Sequence, residues 1–142
     1  MISAVLDTNI LASGAVTATN SPGQILDAWR DGLYSLVISE DIMDELKRVF
    51  QKPYFQSRLT QKGIDSFIAL LENEAITTPL TAKVSGITTH LEDDLILSAA
   101  VSAKVDYFVT GDGFLRRKVG KSYKRVRLVT PSDFLQILRS QS

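Results

Sequence analysis

Apolar positions along this chain fall into short blocks that switch between two rhythms. "ISAVL" (residues 2–6) is a near-continuous apolar run and reads as a buried strand. "SPGQILDAWRDG" (21–32) takes up a helical rhythm, with Ser21 as candidate N-cap, Pro22 suited to the first helical position and Gly32 to the stop. "YSLVIS" (34–39) is a second strand. "SEDIMDELKRVFQK" (39–52) predicts an amphipathic helix with Ile42, Leu46, Val49 and Phe50 on one face, ended by Pro53. A third helix follows in "TQKGIDSFIALLENE" (60–74), weakened by Gly63, and "AITTPL" (75–80) is a short strand. "EDDLILSAAVSAKV" (92–105) is a helix with a largely apolar body, and "DYFVTGD" (106–112) a strand that ends in a glycine turn. "VRLV" (126–129) is a last strand, and "TPSDFLQILRS" (130–140) a closing helix capped by Thr130, with Pro131 first and Asp133 three residues beyond the cap.

Strands alternating with helices along the whole chain predict an α/β fold: a mostly parallel sheet covered on both faces, hence a three-layer α/β/α sandwich. With no internal repeat, low-complexity tract or linker, residues 1–142 are expected to form one domain. Composition narrows the class. Hydrophobic residues at 44% and charged residues at 23% fit a soluble globular protein, and no apolar stretch is long enough to span a membrane. "MISAVLD" lacks the basic start and long apolar segment of a signal peptide. The absence of cysteine excludes disulfides, thiolate metal sites and cysteine nucleophiles, and fits a reducing, cytoplasmic setting. One histidine, His90, leaves no second imidazole for a typical zinc site and reads as a loop residue; Trp29 reads as core or interface.

The informative irregularities are acids. In "VLDTNIL" (5–11) a carboxylate and two further polar groups, Asp7, Thr8 and Asn9, interrupt an apolar run, where burial is costly unless each group finds a partner. In an open parallel sheet, ligands gather beyond the carboxyl ends of the strands. Asp7 stands at the end of the first strand and Asp112 at the end of the strand beginning near Tyr107; the acids 92–94 and 40–45 lie at or near helix starts. Each has a plain structural reading: Asp7 as a helix cap, Asp112 as a turn former, "EDD" as a complement to a helix dipole, Glu45 as a solvated helix residue. Together they read differently. Converging carboxylates repel one another unless a cation lies between them, and with hard oxygen ligands and no thiolate that cation would be Mg2+ or Mn2+.

"VLDTNIL", "ISEDIMDELKRVF", "EDDLILSAAV" and "YFVTGD", in that order and over nearly the whole chain, resemble the PIN-domain family of metal-dependent ribonucleases, and within it the stand-alone bacterial and archaeal toxins of toxin–antitoxin pairs. The resemblance implies catalytic and metal-ligating roles for Asp7, Glu45, Asp93 and Asp112, with Asp94 the rival of Asp93. Thr8, Asn9 and Thr110 would be supporting groups. Some relatives carry a further acid after the glycine turn; here Gly113 and Phe114 follow, which leaves the number of metal ions open. Placing the helix at 3.6 residues per turn puts Asp93 on the face of Ile96, Leu97 and Ala100, and turns Asp94 with Ser98 towards solvent. The implied chemistry is phosphodiester hydrolysis of RNA, with a small antitoxin and a second copy of the chain as partners.

Net charge is zero, from 16 basic and 16 acidic residues, but seven of the basic ones fall in "RRKVGKSYKRVR" (116–127), which has no acid. Arg116, Arg117, Lys118, Lys121, Lys124 and Arg125, with Tyr123 among them, are the candidate RNA contacts; the plain alternative is a solvated loop. Three further readings stand beside the toxin: a housekeeping RNA-processing nuclease, a catalytically inactive RNA-binding module, and a phosphotransfer domain with an aspartyl acceptor. The last expects a strand-end lysine that this sequence lacks.

Overall fold

The computed structural model describes residues 1–84, 86–87 and 91–141. In chain order the elements are β1 (Ser3–Leu6), α1 (Thr8–Val16), α2 (Ser21–Arg30), β2 (Ser35–Ile38), α3 (Glu40–Phe50), α4 (Pro53–Gln56), α5 (Gln61–Glu74), β3 (Ile76–Thr77), α6 (Leu91–Ser102), β4 (Tyr107–Val109), α7 (Gly113–Val119), β5 (Ser122–Tyr123), β6 (Val126–Val129) and α8 (Pro131–Ser140). The strands form one sheet in the order β3-β2-β1-β4-β6-β5, parallel throughout except for the last pairing, β5 with β6. Helices flank this sheet, as the alternation of strand and helix predicts.

The strands are short and apolar without alternation because both faces are covered: Ala4, Val5, Leu6, Phe108 and Val109 are fully buried. Register then fixes the functional edge. Leu6 is level with Val109, and Val109 with Val129. The backbone continues the match one residue further, since Asp7 N–H donates to Val109 O and Thr110 N–H to Val129 O, both at 2.9 Å. Asp7, Thr110 and Thr130 therefore leave the sheet side by side.

The expected amphipathic helix is α3. Ser39 caps it through Ile42 N–H at 3.2 Å, and Ile42, Leu46, Val49 and Phe50 are buried as predicted, with Met43 beside them. Glu40 and Asp41 sit in its first turn and Lys47 and Arg48 in its last, which suits the helix dipole. Trp29 is buried in the core, and Tyr34 bridges α2 and α8 by donating to Ile25 O at 3.0 Å and meeting the Phe134 ring edge-on.

Several expectations need correction. The cap of α2 is Asn20, not Ser21: its side-chain oxygen accepts from Gly23 N–H at 2.8 Å, one residue earlier than expected. Gly23 itself is required by close approach, since a Cβ there would stand 2.1 Å from Thr17 O at the end of α1. Pro53 ends α3 but also opens α4, at a first helical position where its missing N–H costs nothing. "AITTPL" contributes only Ile76 and Thr77 to the sheet, paired with Val37 and Ile38. The helix expected over 92–105 stops at Ser102, where Lys104 takes a left-handed φ of 53° to end it. The run after Asp7 is helix α1, and the basic stretch after Asp112 opens as helix α7 rather than a loop.

Candidate functional site

Asp7 is placed by β1 and held by two neighbours. Its Oδ1 accepts from Asn9 N–H at 3.1 Å, so it caps α1; its Oδ2 accepts from the Thr110 hydroxyl at 3.0 Å. Asp7 is 8% exposed and Thr110 is fully buried. Thr110 has one proton to give, and that proton goes to Asp7; its oxygen meanwhile accepts from Asp112 N–H at 3.1 Å. One buried hydroxyl thus ties the ends of β1 and β4 together. Asp112 is exposed, and its Oδ1 accepts from Leu115 N–H at 3.1 Å, which caps α7. The capping and turn-forming readings of the two aspartates are therefore true, and they do not exhaust either carboxylate.

Burial drives the Asp7 pKa above its ordinary value, and the negative charges of Asp112 and Glu45 push the same way. The Asn9 N–H and the Thr110 hydroxyl pull it back. Charges of Asp112 and Glu45 felt at Asp7 mean that the acids converge, as the strand-end rule requires.

They do so around a cleft of about 570 Å3 lined by Asp7, Asn9, Glu45, Asp93 and Asp112, together with Ile10, Ser13, Pro22, Gly111 and Pro131. Glu45 projects from the middle of α3, where Arg48 one turn on donates to its Oε2 through Nε at 3.2 Å and Nη2 at 2.8 Å. Asp93, in the first turn of α6, is half-buried at the cleft, on the side of the fully buried Leu97 and Ala100. Asp94 does not face solvent as the helix phase suggested. It is buried, and its Oδ2 accepts from Gly86 N–H at 3.0 Å. Ser98 accepts from Val84 N–H at 2.8 Å and Ser102 from Ala82 N–H at 3.0 Å. Asp94, Ser98 and Ser102 recur every four residues and form a polar ladder that fastens Thr81, Ala82, Val84 and Gly86 along that face of α6.

The supporting residues divide. Asn9 reaches the cleft and gives its backbone N–H to Asp7. Thr8 is buried with its hydroxyl unpartnered, so it does not orient Asp7 by hydrogen bonding. His90 lies outside the described residues. Ser13, a cleft residue that the sequence pattern did not single out, lies one helical turn beyond Asn9 on α1; recognising α1 would have found it.

The basic residues do not act as one patch. Arg116, Arg117 and Lys118 are on α7, directly after Asp112. Two guanidinium groups fold back over Gly113: a Cβ there would meet Arg117 Nη1 at 3.3 Å and Arg116 Nη2 at 3.7 Å. The Arg116 Nε is buried without a hydrogen-bond partner. The chain then runs down the sheet edge, with Lys121 O accepting from Leu128 N–H, to a two-residue turn at Lys124 and Arg125, both at positive φ (46° and 73°). That turn precedes β6, whose Arg127 is level with Tyr107 at the start of β4. Lys124 and Arg125 therefore stand at the amino ends of the parallel strands, roughly 13 Å of strand away from the acidic edge. The structure does not bring them together with Arg116, Arg117 and Lys118.

The donor set at the cleft is carboxylate oxygen, which suits a hard divalent cation. Among the described residues, no three acidic or histidine side chains are already gathered closely enough to surround an ion. Yet a carboxylate raised by burial, with acidic neighbours adding to the rise, is the environment that a cation relieves, and Glu45 is turned onto Arg48. The residues present fit the ion on chemistry and charge.

A family model described as "PIN domain" matches residues 3–113. None of the curated proteins matches the sequence. Among solved structures, a chain of the crystal structure of VapBC2 from Rickettsia felis bound to a DNA fragment from their promoter superposes with a TM-score of 0.61. The identity is 18%, and the match covers 91% of this chain and 98% of that one. At that identity the likeness establishes the fold.

Proposed function

The chain belongs to the PIN-domain family, and from that premise we propose that it is a Mg2+- or Mn2+-dependent endoribonuclease, the toxin of a toxin–antitoxin pair. Members of the family are generally nucleases. The observation that carries the finer reading is that Asp7, buried, shares one cleft with Glu45, Asp93 and Asp112.

In this reading Asp7, Glu45, Asp93 and Asp112 hold the metal. When bound, the ion supplies a Lewis acid that neutralises phosphate charge and makes water a competent nucleophile at neutral pH. The chain's own residues do the positioning. Thr110 fixes the Asp7 carboxylate by hydrogen bonding and, through Asp112 N–H, the start of the loop that carries Asp112. Asn9 and Ser13 offer polar groups along the cleft to the substrate. Arg116, Arg117 and Lys118 bind the RNA backbone leading away from the scissile bond. Asp94 supports Asp93 indirectly, by fastening the chain ahead of α6.

Partners follow from the same likeness. The VapBC2 structure contains an assembly bound to DNA, which supports a small antitoxin protein for this chain too, and we expect a homodimer. Among the described residues no helix is long and apolar enough to cross a membrane.

The test is cleavage of RNA by the purified protein. Strand scission with Mg2+ or Mn2+ that stops with EDTA is expected, as is slowed growth on expression without a partner. Scission that continues unchanged in EDTA would remove the metal from the mechanism. Cleavage by a protein harmless to its host would favour the housekeeping role.

A further inference from the structure

Glu45 is shared between two claims. It lines the cleft with Asp7, Asp93 and Asp112, yet its carboxylate is engaged by Arg48, whose Nε and Nη2 both close on the single oxygen Oε2. The two residues are one turn apart on α3, and their side chains are 24% exposed for Glu45 and 66% for Arg48. A solvent-exposed pair at this spacing is weak, because water screens the attraction and two long side chains lose freedom in making it. The neighbouring cation on the helix, Lys47, points elsewhere, towards Glu72 of α5 at 3.9 Å. So the Arg48 guanidinium engages the cleft's glutamate through a partly exposed contact that a divalent ion can displace.

We propose that Arg48 is a positioning residue with two successive partners: it holds Glu45 while the cleft is metal-free, and on displacement by the divalent ion it turns to a phosphate of the RNA. The proposal rests on the metal-dependent nuclease reading. A guanidinium fork suits both partners, since it pairs with carboxylate and phosphate in the same way. It also keeps Glu45 partly neutralised before metal arrives, and it leaves a positive charge beside that residue once metal has taken the carboxylate. Arg48 therefore opposes metal binding and favours RNA binding.

Opposite signs make the test. Mn2+ titration calorimetry on the full chain, with Mn2+ as the only ligand, compares wild type with Arg48→Met and Arg48→Lys. Freed of the competing fork and of a nearby positive charge, Arg48→Met should bind Mn2+ about three- to tenfold tighter. The same variant, at saturating Mn2+, should show a KM for a short single-stranded oligoribonucleotide raised by a similar factor. Arg48→Lys keeps the charge without the fork and should fall between. Unchanged Mn2+ affinity in Arg48→Met would overturn the proposal. So would Mn2+ affinity and KM worsening together, as removal of an ordinary helix-surface pair would cause through poorer folding. Wild-type protein that binds no Mn2+ would overturn the metal reading itself, and this inference with it.

Discussion

Two aspartates close opposite ends of the same pair of strands, and they have opposite lives. Asp106 precedes β4 at the amino edge of the sheet. It is exposed, its Oδ2 accepts from Ser3 N–H at 2.9 Å and from the Ser3 hydroxyl at 3.4 Å, and its own N–H donates to Ser3 Oγ at 3.2 Å. That is a reciprocal clasp between β1 and β4. Asp7, at the carboxyl edge of the same strands, is buried and sits among other carboxylates that push its pKa up. The first arrangement lowers the energy of the fold; the second raises the energy of an ionised group. A strand-end aspartate is thus a structural clasp where it is exposed and only donors face it, and a candidate ligand where it is buried with other acids beside its donors.

Substitution at the two ends should separate these roles most widely in activity. Asp7→Asn should lower RNA cleavage by more than about a hundredfold, since even groups that only orient a metal ligand are worth about 10–100-fold. Asp106→Ala should leave cleavage per folded molecule unchanged and cost about 0.5–1.5 kcal/mol of stability for each clasp hydrogen bond removed. Cleavage rates and urea melts of the two variants read both effects. Equal loss of activity at both ends would erase the distinction.

The same two ends divide the basic residues. Replacing Arg116, Arg117 and Lys118 by alanine should weaken RNA binding several-fold and flatten its salt dependence, by about 0.7 in the log–log slope for each phosphate that is no longer neutralised. Replacing Lys124 and Arg125, at the far end, should change neither. Salt titrations of binding by fluorescence anisotropy would show it, and matching losses from both sets would mean that RNA wraps the whole sheet edge.

Much of this was legible in the sequence because simple rules carried it. Buried parallel strands announce themselves as unbroken apolar runs, and a parallel sheet sends every strand's carboxyl end to one edge; together these place Asp7 and Asp112 near each other without any coordinates. The phase of α6 brought Asp93 to the cleft but wrongly turned Asp94, the more buried of the two, towards solvent. What failed lacked a local signal. Helix α1, "TNILASGAV", is apolar and small-residued nearly all round, so it shows no amphipathic period to mark it as a helix. Helix α7 is seven residues long, with its cations crowded at the end, and passes for a loop. The hairpin at Lys124 and Arg125 uses no glycine or asparagine at its two positive-φ positions, so nothing marked it as a turn that carries those cations away from the site. Asp94 and Ser98 looked solvent-facing because the chain that covers them, at Thr81, Ala82, Val84 and Gly86, has no pattern of its own; the polar ladder on α6 and the buried Val84 fasten it there.

The central claim, that Asp7 is destabilising until a cation binds, has a sign that a melting experiment reads directly. A carboxyl whose folded pKa is raised favours the fold below its ordinary value of 3.8 and loses that advantage as pH rises through the folded value. At pH 7 in EDTA, Asp7→Asn should therefore melt above wild type, by a few degrees, since about 1 kcal/mol moves the midpoint of a chain this size by about 2–8 °C. The gap should close as pH is lowered towards 3.8. Saturating Mn2+ should raise the wild-type midpoint and leave the variant nearly where it was, so that the order reverses; a hundredfold excess over Kd is worth about 2.7 kcal/mol. Asp7→Asn melting below wild type in EDTA, with Mn2+ moving both proteins alike, would contradict the account.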